Sequence, residues 1–142
     1  MQCIDKIIDT DKLENWTRIK EVKIDQQYSK ENYKSANNSF YVGIKSYELP
    51  RISLNNILKN YEISDEEGLG LVIIYEGFSN PGKSISGYQV YFDIKSREII
   101  QADYFNNEFS YSFNKVRHWG YAMQAAFEKN LRNYPLRADH LK

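Results

Sequence analysis

Three runs between Leu69 and Phe105 constrain the fold of this chain more than any other feature: "GLVIIYEGF", "GYQVYFDI" and "REIIQADYF". Each is rich in the β-branched and aromatic residues that suit a pleated, half-buried surface. The first is apolar on both faces and reads as a central strand covered on both sides. The second alternates, with Tyr88, Val90, Phe92 and Ile94 facing one way. The third follows a tight turn at Lys95-Ser96. Connections this short cannot hold a crossover helix, so the runs predict an antiparallel meander and not a parallel sheet.

The first connection, "GFSNPGKS" (Gly77 to Ser84), also spells G-x-x-x-x-G-K-[ST], the phosphate-cradling loop of nucleotide hydrolases. That loop works only where a helix begins at its end and turns its N-terminal dipole on the phosphates. Here "ISGYQVYFDI" follows, with the period of a strand. Asp93, the one residue resembling a magnesium-contacting aspartate, lies too close for a crossover to intervene. Asn80-Pro81-Gly82-Lys83 instead predicts a type II turn, with Pro fixing the first central φ and Gly supplying a positive second one.

Beyond the meander the period changes. Val116, Trp119, Met123, Phe127, Leu131 and Tyr134 step by three or four residues from Asn114 to Pro135, an amphipathic helix of about five turns. Gly120, Ala122 and Ala126 beside that stripe would let it lie close to the sheet. Leu54, Ile57, Leu58 and Tyr61 predict a shorter helix near 53–61, with Ser53 as its N-cap. Alternation in "RIKEVKIDQQY" (Arg18–Tyr28) suits an edge strand, and "FYVGIKSYE" (Phe40–Glu48) is a further strand candidate. Residues 1–17 show no clear period and read as irregular. The expected fold is therefore α+β in one domain of 142 residues: an antiparallel sheet of four to five strands, a long C-terminal helix packed across it, and one short helix near 53–61.

Charge and residue counts narrow the chemistry. Nineteen basic residues balance nineteen acidic ones, against a nucleic-acid binder that relies on phosphate neutralisation. A single cysteine, Cys3, leaves no intrachain disulfide or thiolate metal cluster, and two histidines make a transition-metal site unpromising, so no cofactor is expected. No apolar run reaches the length of a transmembrane helix. As the first residue of a mature lipoprotein Cys3 would carry a lipid anchor; as a spare thiol near a frayed terminus it would carry none. The acids of "SDEEG" (Asp65, Glu66, Glu67) lack the alternating spacing of a calcium loop and read as a solvated turn.

The densest aromatic segment is "YFNNEFSYSFNKVRHWGY", Tyr104 to Tyr121. Strand and then helix spacing assigns Phe105, Phe109, Phe113 and Trp119 to the end of the core. The same rings would also suit a cleft for a ligand, with Tyr111, Arg117 and His118 its candidate binding residues. His118 could serve as a general base, but no motif marks a serine or cysteine nucleophile for it, and it reads first as a partly exposed histidine near a helix start.

"GYQVYFDIKSREIIQADYF" and "FSYSFNKVRHWGYAMQAAF" resemble a group of small secreted or lipoprotein-type domains of Bacteroidetes. Those share an "FFD-x-x-T/S-x-x-V" hairpin, a linker rich in Phe and Gly, and a "W-[AG]" helix start. Phe92-Asp93 and Ser96 match the hairpin and Trp119-Gly120 the helix start, while "NNEFSYSF" replaces the linker. The resemblance covers the second half of the chain and implies a bacterial, extracytoplasmic address, without a particular activity. Two expectations of function follow. The first is a non-enzymatic binding or interaction domain of the cell envelope, with an unidentified protein or small ligand as partner. The second is a small hydrolase or ligand-modifying enzyme using His118.

Overall fold

The computed structural model describes residues 10–24, 51–61, 63, 67–79, 82–110 and 116–137, with the backbone alone at 51–52 and 116–119. Three helices and three strands lie within them: α1 (Thr10–Thr17), α2 (Arg51–Asn60), β1 (Leu69–Ser79), β2 (Ser84–Asp93), β3 (Ile99–Glu108) and α3 (Val116–Asn133). The strands form one antiparallel sheet in the order β1-β2-β3. The α+β class, the meander and both predicted helices are present. The sheet, however, has three strands among the described residues, not four to five, and β2, not β1, is its middle strand.

The missing edge strand has a local cause. Residues 18–24 are not a strand, because Arg18 (φ 60°) and Glu21 (φ 61°) sit in the left-handed region, where an extended chain cannot continue. Arg18 terminates α1, a helix within residues expected to be irregular. The Thr17 hydroxyl donates to Leu13 O at 2.7 Å, and the Glu14 carboxylate accepts the Val22 N–H at 3.3 Å, folding the following chain back on the helix. Leu13 and Thr17 are buried, and the guanidinium of Arg132 lies 5.9 Å from the Trp16 ring centroid, joining α1 to α3. The second strand candidate, Phe40–Glu48, lies outside the described residues.

Period two assigns each residue of the sheet to a face. Val72, Ile74, Val90 and Phe92 meet Leu54 and Leu58 of α2, the i, i+4 pair at the centre of the predicted stripe. The helix already runs from Arg51, so Ser53 lies within its first turn and is not its N-cap. On the opposite face Ile85 and Phe105 meet Ala122 and Ala126 of α3, with Ile73, Tyr75, Met123 and Tyr134 around them. Two small residues in line hold helix and sheet at close range. Phe105 and Phe109 take part in this cluster, as the aromatic segment predicts, whereas Tyr104 and Tyr121 are exposed.

Ser84 begins β2 directly, so a strand stands where a phosphate loop requires a helix. The left-handed residue of this connection is Lys83 (φ 47°), and Gly82 is not left-handed. The expected type II turn is thereby corrected. The Gly82 N–H instead donates to Ser79 Oγ at 3.0 Å, and the Phe109 N–H donates to Lys83 O at 2.8 Å, extending the β2–β3 ladder beyond the loop.

The Tyr75 hydroxyl donates to Met123 O at 3.1 Å across the sheet–helix interface. Burial raises its pKa well above the ordinary phenol range, and burial pushes Tyr91 up to about 12. A phenol whose folded pKa is raised contributes stability that is fully present below the unfolded value, near pH 10, and is lost as pH rises towards the folded value. Urea unfolding at stepped pH should therefore show stability falling above about pH 10, by roughly 1.4 kcal/mol per pH unit for each protected tyrosine. Tyr75→Phe should flatten that slope; an unchanged slope would refute the assignment.

Candidate functional site

Of the candidate binding residues singled out in the sequence, none has its side chain within the described part of the structure. Tyr111 lies outside them. Arg117 and His118 are placed by backbone in the first turn of α3. The sheet and its helices instead build two other polar places.

One is a cleft of about 500 Å³ lined by Asn55, Lys59, Ser96, Arg97, Glu98 and Ile99. Its walls come from two elements. Asn55 and Lys59 stand one turn apart on α2, and α2 is held to the sheet by buried Leu54 and Leu58. The opposite wall is the β2–β3 connection. There the Arg97 N–H donates to Asp93 O and the Asp93 N–H to Glu98 O, both at 2.9 Å. The Asp93 carboxylate accepts the Ser96 N–H at 2.7 Å. That bond, first among its interactions, holds the Asp93 carboxyl below the usual range.

Arg97 occupies the left-handed region (φ 62°), a position costing a non-glycine residue roughly 1 kcal/mol. Its guanidinium donates to Ile94 O and, at 3.2 Å, to Ile63 O. Two neutral carbonyls thus fix the orientation of the group without neutralising it. Among the described residues no carboxylate pairs with Arg97 or Lys59; Lys95, by contrast, pairs with Glu67 on the outside of the hairpin. Glu98 adds a carboxylate to the same lining. No motif marks these positions. The one available signal is the glycine-free turn "KSRE", where a tight reversal between two strong strands forces a charged residue into an unfavourable conformation.

The other polar place lies between the sheet and the end of α3. Gln89, Gln101, Asn107 and Asn130 are all buried. Asn107 Nδ2 donates to Asn130 Oδ1 at 3.0 Å, and Gln89 Nε2 donates to Tyr134 O at 2.6 Å. Gln101 brackets the segment after the helix, donating to Pro135 O at 3.2 Å and accepting the Arg137 N–H at 3.0 Å. The Arg137 guanidinium then reaches Asp103 at 3.0 Å. Gln89 and Gln101 are bonded to the chain's own backbone and Asn107 to Asn130, while Gln89 Oε1 and Asn130 Nδ2 are buried without a partner among the described residues. All four side chains are buried, so this place fastens the end of α3 to the sheet.

No group of three or more His, Cys, Asp or Glu side chains able to hold a metal occurs among the described residues. No described helix is long and apolar enough to cross a membrane. Comparisons with family models, curated proteins and solved structures give no match.

Proposed function

We propose that this chain is a non-enzymatic binding domain of the bacterial cell envelope that holds a small polar ligand between α2 and the β2–β3 hairpin. The observation that carries the reading is the cleft itself: an open, two-walled recess whose cationic groups, Lys59 and Arg97, have no carboxylate partner among the described residues. Arg97, held by two carbonyls with donors to spare, is what ligand recognition requires, since orientation settled beforehand lowers the entropic cost of binding. The lining offers amide, ammonium, guanidinium, hydroxyl and carboxylate groups, but no histidine or cysteine to serve as base or nucleophile. The envelope address rests on the resemblance of the second half of the chain to secreted and lipoprotein-type domains.

The test is an ¹⁵N–¹H titration of the full chain with a panel of amino acids, sugars and nucleotides, followed by recovery of each compound. Saturable shifts at Asn55, Lys59 and Ser96–Ile99, with the compound recovered intact, are the expected result. Chemical conversion of a compound, abolished in His118→Ala, would establish the enzyme in place of the binding domain.

A further inference from the structure

Resting on that reading, we infer that the cleft between α2 and the β2–β3 hairpin takes a small zwitterion, an amino acid or short peptide, with its carboxylate on Lys59 and Arg97 and its ammonium on Glu98. The charge pattern of the lining selects this class. Two cationic side chains and one carboxylate share the same walls. A ligand carrying only negative charge would meet Glu98 as a repulsive neighbour, and one carrying only positive charge would meet Lys59 and Arg97. A neutral ligand would draw on none of the three charges. A molecule carrying both signs close together answers each group with its complement.

The chemistry of the individual groups agrees. Arg97 has a planar fork of five N–H donors. Its bonds to Ile94 O and Ile63 O engage two of the nitrogens and fix the plane, leaving further donors for a carboxylate. Lys59, a compact charge on a flexible stem, can adjust to the second carboxylate oxygen. Asn55, half-buried one turn before Lys59, lines the cleft and has both a donor and an acceptor to offer. The left-handed backbone of Arg97 belongs to the tight β2–β3 reversal and sets where its side chain starts. Its guanidinium reaches the carbonyls of Ile94 and Ile63 that orient it. A volume of about 500 Å³ leaves room for a side chain or a second residue beyond the charged backbone groups.

The experiment is an ¹⁵N–¹H titration of the full chain with five named probes: L-alanine, the dipeptide Ala-Ala, acetate, methylamine and glycerol. L-Alanine or Ala-Ala should shift the amides of Asn55, Lys59 and Ser96–Ile99 saturably, with acetate binding at least about tenfold more weakly and methylamine not at all. Lys59→Gln and Glu98→Gln, both at exposed positions that leave the fold intact, should each weaken the zwitterion by about tenfold, and Glu98→Gln should bring it towards acetate. Acetate binding as tightly as the zwitterions would overturn the inference. So would shifts from glycerol alone, although the cleft would then stand as a binding site for neutral ligands. Silence from all five probes, together with silence from the wider panel, would overturn both the inference and the binding reading.

Discussion

Gly87→Ala should lower the unfolding free energy by about 3 kcal/mol, read as a fall in Tm of roughly 10 °C and a matching shift of the urea midpoint at unchanged slope. The cause is the register shift between Tyr75 and Gly77, where β1 runs one residue longer than the facing stretch of β2. An extra residue bends the bulged strand, and here it brings the backbone down on Gly87, the partner of Tyr75. A Cβ at Gly87 would lie 2.2 Å from Ile74 O, 3.0 Å from Tyr75 Cα and 3.1 Å from Ile74 C. All three are main-chain atoms, so no rotamer change relieves the overlap, and the strands must separate at the centre of the sheet.

Two other glycines make the comparison informative. At Gly77 the added methyl would meet only Ser86 Oγ, at 2.8 Å, a side chain free to rotate. At Gly120, exposed within α3, it would meet nothing within 4 Å, so alanine there should gain about 0.5–1 kcal/mol from helix propensity. A Gly87→Ala protein as stable as Gly77→Ala would show that the bulge does not press on β2.

Much of the fold was legible because its signals are local. Alternation with short connections predicts the β1–β2–β3 meander. Leu54 and Leu58, and later Ala122 and Ala126, mark the faces of the two helices that cover it. The strand count failed where a genuine alternation, Ile19 to Ile24, is overridden by the left-handed conformations of Arg18 and Glu21. Periodicity does not register a helix cap. Nor does it register polar residues turned inward. Gln89, Gln101 and Asn107 occupy strand positions facing α3 and are buried, although patterning alone would place them towards water. Asn130, hidden beside Leu131, falls just off the predicted helical stripe. The candidate cleft was not legible at all. It joins two residues of a helix to a turn some forty positions later, and none of its residue types is unusual alone. The aromatic segment with Tyr111, Arg117 and His118 stands out because composition is visible in one dimension. Convergence of unspent charges is visible only in three.

The inward-facing amides lead to the second large effect. Gln101→Leu should cost about 3 kcal/mol and should selectively expose the amide of Arg137 to hydrogen exchange. In the native chain one side-chain amide replaces a missing strand: Gln101 donates to Pro135 O and accepts the Arg137 N–H, so the segment carrying buried Leu136 is held as if paired in the sheet. Its Nε2 also donates to Asp103 Oδ2 at 2.6 Å, and Asp103 is the group that pairs with the Arg137 side chain. Leucine fills nearly the same volume but leaves the Pro135 carbonyl and the Arg137 N–H without that partner. Stranding buried or half-buried backbone groups costs roughly 1–3 kcal/mol each, far more than the net gain from making a hydrogen bond. The Asp103–Arg137 pair cannot compensate, because the Arg137 side chain is largely exposed and pairs of that kind contribute at most about 1 kcal/mol. Asp103→Asn should therefore be mild where Gln101→Leu is severe. If Gln101→Leu left both stability and Arg137 exchange unchanged, the tail would be held by Leu136 burial alone, and the amide bracket would be incidental.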